Sequence, residues 1–165
     1  NLFGNRFHYQ EADLQTFCPK LSYDLAIAID IMEHIEDDRA VLHNFYNCLK
    51  PGGKLIISTP SDLDEAAKFT SEHVRPGYNK QELETKLFDA GFAVIESRFS
   101  YGRYGSLAWK LLMKFPLSLL GKSKALGMLL PFYYLPVLPI GMILNHLDQK
   151  TVNHTGTGLL VVAEK

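Results

Sequence analysis

Apolar residues follow two alternating patterns along the chain. Nearly continuous apolar runs predict strands that are buried on both faces of a parallel sheet. They lie at residues 23–29 ("YDLAIAI"), 54–59, 92–99 and 158–163. A weaker alternation over residues 6–12 predicts another short strand, which runs into a loop at Asp13.

Two segments between these runs carry apolar residues at helical spacing. The first covers residues 41–49 and is predicted to end at the Pro-Gly-Gly turn of residues 51–53. The second covers residues 79–91, and Asn79 with Glu82 has the spacing of a capping box at its start. Strands that alternate with helices of about a dozen residues predict βαβ units. We therefore expect an α/β fold, with a mostly parallel sheet and helices on both faces.

The segment from residue 101 to residue 155 interrupts this alternation. An insertion of this length in a compact domain is usually a lid, a binding cap or a partner surface. Five Lys and Arg residues precede its first acidic residue, Asp148, and they are Arg103, Lys110, Lys114, Lys122 and Lys124. Residues 125–147 contain no Asp, Glu, Lys or Arg. We divide the chain into a core at residues 1–100, a helical hydrophobic insertion at residues 101–155 and a last core strand at residues 156–165.

The overall charge gives no indication of a nucleic-acid partner. The 17 Lys and Arg residues nearly balance the 18 Asp and Glu residues, and the formal net charge is -1. Cys18 and Cys48 lack a metal-binding spacing, and no secretory signal is recognisable, so we expect a cytoplasmic protein. The chain begins with Asn1 rather than Met, which indicates a fragment or a processed product.

Residues whose side chains suit catalysis or metal binding directly follow the run 23–29. The sequence "DIMEHIED" places Asp30, Glu33 and His34 there. In open α/β sheets, ligands bind in the crevice at the carboxyl ends of the strands, where loops carry polar groups. This cluster is therefore the candidate site.

The surrounding sequence resembles a known enzyme family. The stretch "YDLAIAIDIMEHIEDDRAVLHNFYNCLKPGGKLIISTPSD" resembles the second half of class I S-adenosylmethionine-dependent methyltransferases, most closely those of quinone biosynthesis. The segments "GYNKQELETKLFDAGFAVIES" and "GLLVVAEK" resemble the elements that follow in that family. The resemblance covers roughly residues 7–100 and the last strand. It implies a Rossmann-like sheet, mostly parallel, with an antiparallel last strand.

The resemblance also implies S-adenosylmethionine as cofactor. Asp13 matches the carboxylate that accepts the adenine amino group, Leu14 the backbone N–H that meets a ring nitrogen, and Ile29 the residue against the methionine or ribose part. From the residues alone, Asp13 is equally a turn-forming or N-cap aspartate, and Ile29 an ordinary strand residue.

One departure from the family concerns its cofactor loop. The Gly-rich loop and the ribose-binding acid do not occur in this sequence, and the only early glycine is Gly4. We expect a domain that lacks the first two strands of the sheet, an N-terminally truncated methyltransferase. Such a chain is predicted to bind the cofactor poorly unless a second chain supplies the missing part.

Three interpretations of the cluster stay open. In the first it is architectural, with Glu33 bracing the next helix and His34 hydrogen-bonding the sheet end. In the second, Glu33 and His34 are catalytic, and His34 is a general base that removes a substrate proton as the methyl group arrives. In the third, Asp30, Glu33, His34 and His73 bind a divalent metal, since their spacing resembles the E-x-x-E-H of ubiquinone-pathway and small-RNA methyltransferases. The Asp at the first position has a shorter arm than the Glu of that motif.

The insertion is expected to shape the acceptor site, with His73, Tyr101 and Tyr104 as substrate contacts. Residues 125–147 have the length of a spanning helix, but their three prolines argue against a straight one. A cap packed on the sheet or on a second subunit, as in a homodimer, competes with peripheral membrane contact through residues 105–147.

Both interpretations of the insertion favour an apolar or membrane-associated acceptor. The resemblance thus implies O- or C-methylation of a small molecule. A degenerate, non-catalytic domain that serves as a binding or membrane-surface module is the alternative. A nicotinamide oxidoreductase on a related sheet agrees less well with the strand that follows the Pro-Gly-Gly turn and with the last strand.

Overall fold

The computed structural model describes residues 9–17, 22–63, 73–122 and 124–165. Residues 6–8 of the first predicted strand lie outside this part, as does Cys18. Residues 9–12 are not in a strand, and the Tyr9 side chain is exposed. The prediction of a strand over residues 6–12 is therefore wrong for its described half, residues 9–12, where all four residues are exposed and pair with none of the described strands.

The described residues form one four-stranded sheet. Its strands are β1 (Tyr23–Ile29), β2 (Leu49–Pro60), β3 (Ala93–Ser100) and β4 (Gly158–Glu164), in the order β1-β2-β4-β3. β1 and β2 are parallel, whereas β4 is antiparallel to both β2 and β3. Three strands thus run in one direction and the last strand in the other. All four continuous apolar runs in the sequence lie in these strands.

Two helices pack against one face of the sheet, α1 (Asp38–Cys48) and α2 (Lys80–Asp89). Buried side chains of β1, β2 and β4 on that face, such as Ala28, Ile57 and Val161, form a single core with the apolar stripes of both helices. On the other face of β1 the alternate side chains remain exposed. The prediction of helices on both faces holds for one face of the described structure.

The Pro-Gly-Gly turn lies inside β2 rather than between helix and strand. Leu49 pairs with Tyr23 and Lys54 pairs with Leu25, so the extra residues of β2 form a bulge opposite the start of β1. A Cβ atom on Gly53 would lie 2.8 Å from the carbonyl oxygen of Lys50, which explains the glycine at this position.

The predicted capping box at the start of α2 is only half formed. The Asn79 side chain accepts a hydrogen bond from the Gln81 N–H at 3.0 Å and caps the helix. Glu82 instead forms an ion pair with Lys86 at 2.8 Å, one turn further along the helix. The ion pair with Lys86 thus takes the place of the hydrogen bond that the Glu82 side chain would accept from the Asn79 N–H in a complete capping box.

The insertion is a helical hairpin, residues 103–150. Its first arm joins α3 (Arg103–Trp109), a π-helical turn (Lys110–Lys114) and α4 (Phe115–Lys122); a 3-10 segment (Lys124–Leu129) then leads to α5 (Leu130–Lys150). α5 continues through Pro136 and Pro139, so these prolines do not end the helix. Both proline positions are exposed, so their rings displace no packed neighbour, and contacts with the first arm hold the helix across them.

Candidate functional site

The carboxyl ends of β1, β2 and β3 lie at one edge of the sheet. Ile29 pairs with Ser58, and Gly158 at the start of β4 pairs with both Pro60 and Ser100. The chain leaves β1 at Asp30, which has a φ of 49° and donates its N–H to the Ser58 carbonyl at 2.8 Å. It then enters a single 3-10 turn, Met32–His34, which carries the candidate residues.

Glu33 is buried at this edge, with 1% of its surface exposed. Its Oε2 atom accepts a hydrogen bond from the Thr59 hydroxyl at 3.1 Å, near the end of β2. Its carbonyl oxygen accepts from the N–H groups of Val74 and Arg75 at 3.0 and 3.3 Å. Glu33 therefore connects the end of β1 both to β2 and to the loop that carries His73. These contacts differ from the bracing of the next helix that the architectural interpretation expected.

His34 and His73 meet next to this carboxylate. Nε2 of His34 lies 3.9 Å from Oε1 of Glu33, and the His34 and His73 ring centroids are 4.6 Å apart in an edge-to-face arrangement. One ligand atom from each of the three residues lies within 4.8 Å of the others. Nδ1 of His73 is buried without a hydrogen-bond partner among the described residues. Asp30 is exposed and does not belong to this group, because its positive φ turns the chain before the 3-10 turn begins.

Two imidazoles and one carboxylate form a donor set that transition metals accept. Ligands about 2.1 Å from one ion lie at most roughly 4.2 Å apart. A separation of 4.8 Å therefore requires a contraction of about half an ångström. His34, whose side chain is 39% exposed, is also the member of the group that a substrate reaches most easily.

A buried ionic network, which the sequence patterns did not predict, lies next to the cluster. Asp38, in the first turn of α1, accepts hydrogen bonds through Oδ2 from Arg75, from the Tyr78 hydroxyl at 2.8 Å and from Lys86 at 2.7 Å. Burial alone would raise the pKa of Asp38, but these bonds and the two positive charges lower it. From the sequence alone, Asp38 resembles an ordinary acidic residue in the first turn of a helix. Its partners lie 37 or more residues away in the chain, so no local spacing predicts these contacts.

The same network holds the loop that carries His73. Arg75 also donates to the carbonyl oxygens of Ile35 and Glu36, at 2.6 and 3.0 Å. Burial, together with the neighbouring Asp38 carboxylate, raises the pKa of Tyr78 far above its ordinary value, so its hydroxyl stays protonated. The position of His73 is therefore set by charged partners two and more residues away from it.

The Asp13 turn lies on α1. Oδ1 of Asp13 accepts the Gln15 N–H at 2.9 Å, which is the turn-forming role that the sequence left open. The Asn44 side chain donates to the carbonyl oxygens of Leu14 and Gln15 at 2.9 and 3.0 Å, and the Asp37 N–H donates to the Gln15 side chain at 3.1 Å. Below this turn is a groove of about 270 Å³ between β1 and α1, lined by apolar side chains and Asn44.

The remaining predicted residues lie at the same sheet edge. Ile29, the last residue of β1, has an exposed side chain. Tyr101 follows β3 with a φ of 52° and is exposed, while Tyr104 is half-buried in the first turn of α3. Because β3 is the far strand of the sheet, three strand spacings or roughly 14 Å separate it from β1. Of the three predicted acceptor contacts, His73 is the one that the structure brings to the cluster.

Comparison with known proteins identifies similar sequences. A family model described as a methyltransferase domain matches residues 4–97. Phosphoethanolamine N-methyltransferase 1 of Arabidopsis thaliana is 33% identical over 90 residues, which cover 51% of this chain and 18% of that protein. The chain spans less than a quarter of the length of the curated relatives it matches.

Solved structures show the same fold at lower sequence identity. A methyltransferase of Archaeoglobus fulgidus, described as dependent on S-adenosylmethionine, superposes with a TM-score of 0.58 at 13% identity, covering 98% of this chain and 69% of that one. Phosphoethanolamine N-methyltransferase 2 of Haemonchus contortus, in complex with S-adenosylmethionine, gives 0.56 at 21% identity, covering 93% and 36%. The expected Rossmann-like sheet is confirmed by the first of these.

Proposed function

We propose, on the premise that this chain belongs to the methyltransferase domain family, that it takes part in methyl transfer from S-adenosylmethionine to a small-molecule acceptor. The cofactor, when bound, supplies a methyl group on a sulfonium centre, and the protein contributes mainly alignment and exclusion of water. The observation that carries the proposal is the cluster of Glu33, His34 and His73 at the carboxyl edge of the sheet.

The described residues fit one side of this cofactor. The exposed Ile29 side chain offers an apolar contact at the strand end, and the Asp13 turn is held beside α1 by Asn44 and Gln15. Asp13 engages one carboxylate oxygen within its own turn, which leaves the other for an adenine amino group. The Gly-rich loop and the ribose-binding acid are not among the 165 residues. We infer from the position of Asp13 and Ile29 that this chain supplies the adenine side of the cradle.

Within the cluster, we assign His34 the role of accepting a proton from the acceptor. Its side chain is the exposed member of the group, whereas Glu33 is buried and hydrogen-bonded to Thr59. Glu33 acts as a positioning residue, since its carboxylate lies against the His34 ring. A divalent ion on the same three side chains is the second candidate, and it would lower the pKa of an acceptor hydroxyl.

We propose that the acceptor is apolar and is methylated on oxygen or carbon. The curated relatives are named for a phosphorylated amine, so N-methylation of such a compound is the competing proposal. A phosphate needs a cation, and in the part of the chain that the structure describes Arg75, the cation on the loop that carries His73, is already engaged by Asp38 and two carbonyl oxygens. The exposed apolar side chains of the hairpin instead suit an apolar acceptor.

Calorimetric titration with S-adenosylhomocysteine tests the cofactor proposal. This chain is titrated beside a longer version in which the Gly-rich loop and the ribose-binding acid of a related methyltransferase are joined ahead of Asn1. We expect tight binding by the longer version and weak binding by this chain. Ile29→Ala in the version that binds is expected to weaken affinity about tenfold through lost apolar contact, whereas Ile95→Ala, an equally exposed position on β3, leaves it unchanged.

Absence of binding by both versions would favour the non-catalytic alternative, a methyltransferase fold that serves as a binding module. The acceptor class is tested separately with a labelled methyl group. Transfer to a detergent-dispersed phenol or hydroquinone is expected. Transfer to phosphoethanolamine alone would refute the apolar acceptor while leaving methyl transfer intact.

A further inference from the structure

We propose that the helical hairpin, residues 103–150, lies in the surface of an anionic lipid bilayer. The first observation is exposure. Phe132, Leu135 and Met142 on α5 are each at least 70% exposed. The stretch Gly127–Lys150 is the one helix of the described chain that is long and apolar enough to cross a membrane, and only 6% of its most apolar window is buried. It therefore lies outside the buried core of the described structure.

The first arm of the hairpin continues this apolar surface. Its exposed large apolar side chains are Leu107, Trp109, Met113, Phe115, Leu117 and Leu120. Soluble proteins rarely expose contiguous apolar surface on this scale unless a partner or a membrane covers it.

The two arms of the hairpin are joined by hydrogen bonds and by close packing. The Tyr133 and Tyr134 hydroxyls donate to the carbonyl oxygens of Leu111 and Leu112 at 2.9 and 2.7 Å, where the π-helical turn alters the backbone bonding. At Gly141 an added Cβ atom would lie 2.6 Å from Leu112, so the arms are in close contact there. The two arms are thus held together without the exposed apolar side chains. A partner outside the hairpin is therefore needed to cover these side chains.

The charged residues of this segment indicate which partner covers the exposed apolar side chains. Between Glu96 and Asp148 the sequence contains no acidic residue, and its basic residues there are Arg98, Arg103, Lys110, Lys114, Lys122 and Lys124. An apolar surface with basic residues and no acids is complementary to anionic head groups above hydrocarbon. A second copy of the hairpin would instead bring like charges together.

Two of these lysines indicate how the hairpin is oriented relative to the bilayer. Lys110 and Lys114 occur midway along the first arm, and both are exposed. A hairpin that crossed the bilayer would place them in hydrocarbon, at a high energetic cost. A hairpin that lies in the plane of the surface lets their ammonium groups reach the head groups while neighbouring apolar side chains are immersed. Trp109, partly exposed, suits the same interface.

The hairpin leaves the sheet at the edge that carries the cluster, directly after β3. Membrane binding would hold that edge close to the lipid. Resting on the proposed function, this geometry places the acceptor among molecules dissolved in the bilayer. The lipid contact itself does not require methyl transfer.

Co-sedimentation with vesicles tests the contact, using the full chain without cofactor. We expect binding to phosphatidylcholine vesicles that contain about a third phosphatidylserine, little binding to pure phosphatidylcholine, and release at high salt. Lys110→Ala with Lys114→Ala is expected to weaken binding about 25-fold, at roughly fivefold per lysine. Lys54→Ala, an exposed lysine on β2, serves as the matched control.

Apolar variants provide the second arm of the test. Phe132→Ser with Leu135→Ser should abolish binding, whereas Phe88→Ser, equally exposed but on α2, should not change it. Equal binding to neutral and anionic vesicles, or no binding at low salt, would overturn the proposal. Sedimentation velocity gives a further contrary result: a dimer that the Phe132 and Leu135 substitutions dissociate would show that a second copy covers the surface. Methyl-transfer activity does not enter either measurement.

Discussion

At the scale of single residues, the site depends on groups that are held by backbone contacts. His73 reaches His34 because the adjacent N–H groups of Val74 and Arg75 bind the Glu33 carbonyl. Its buried Nδ1 atom, without a partner in the described part of the chain, is the kind of polar atom that a ligand or ion satisfies.

A metal titration tests this atom. On the second candidate, a divalent ion on the cluster, chelator-treated protein is expected to bind one ion, measured with Zn²⁺ and Mn²⁺ against a chromophoric competitor. His73→Gln removes one of three ligands and should weaken binding at least tenfold. His43→Gln, an exposed histidine on α1, is the matched control. Unchanged affinity in the His73 variant would exclude the cluster as the binding site.

The pKa of Asp38 gives a second prediction at this scale. Because the folded-state pKa is lowered, the contribution of Asp38 to stability is complete above its unfolded value of about 3.9. It is lost as the pH falls through the lower folded value. Asp38→Asn is expected to reduce the free energy of unfolding by about 3 kcal/mol at neutral pH, since Arg75 and Lys86 lose a buried partner.

Urea denaturation between pH 7 and pH 2 measures this effect. The difference between wild type and Asp38→Asn should shrink below about pH 4. Asp24→Asn, which affects only an exposed ion pair with Lys50, should show a small difference throughout. A constant difference between wild type and the Asp38 variant at all pH values would contradict the ionic explanation.

At the scale of elements, α5 caps the helix that opens the hairpin. The Asp148 carboxylate accepts the N–H groups of Gly102 and Gly105 at 3.3 and 2.9 Å, and so supplies the cap that Gly102 lacks. Gly105 permits this approach, since an added Cβ atom would lie 2.6 Å from Oδ2 of Asp148. The base of the hairpin is therefore fixed by one carboxylate on the opposite arm.

A pair of glycine substitutions tests this arrangement. Gly105→Ala forces the Asp148 carboxylate away and is expected to reduce stability by about 1–3 kcal/mol. Gly121→Ala, in α4, meets nothing within 4 Å and should be neutral or stabilising by about 0.5 kcal/mol. Thermal denaturation followed by circular dichroism compares the two. Equal effects would mean that the Asp148 contact does not hold α3.

At the scale of the whole molecule, the chain divides into two regions of unequal burial. Among the described residues, the sheet with α1, α2 and their connecting loops contains nearly all buried apolar side chains, and the hairpin contributes Ala108 and Pro116. Amide protection follows local burial and contact. The two regions are therefore expected to open separately.

Hydrogen exchange followed by mass spectrometry measures this division. In solution, peptides from β2 and β4 should exchange slowest, and peptides from α4 and α5 markedly faster. Anionic vesicles should protect the hairpin and leave the sheet unchanged. Uniform protection of hairpin and sheet in solution would show instead that the molecule unfolds as one unit.

Local sequence patterns accounted for several elements. The bounds of β1, the cap of α2 at Asn79 and the position of Glu33 and His34 after a strand follow from periodicity and spacing within a few residues. The bulge in β2 and the continuity of α5 did not follow, because pairing partners and packing override the breaking tendency of Pro and Gly.

The sequence by itself determined the alternation of strands and helices, the family and the presence of an apolar, basic insertion, since each depends on residues close together in the chain. Only the tertiary structure decided that His73 joins His34, that Asp38 collects Arg75 and Lys86, and that the hairpin faces outward. These outcomes depend on strand register and on how helices pack, which bring distant residues together. Local spacing carries no record of such contacts.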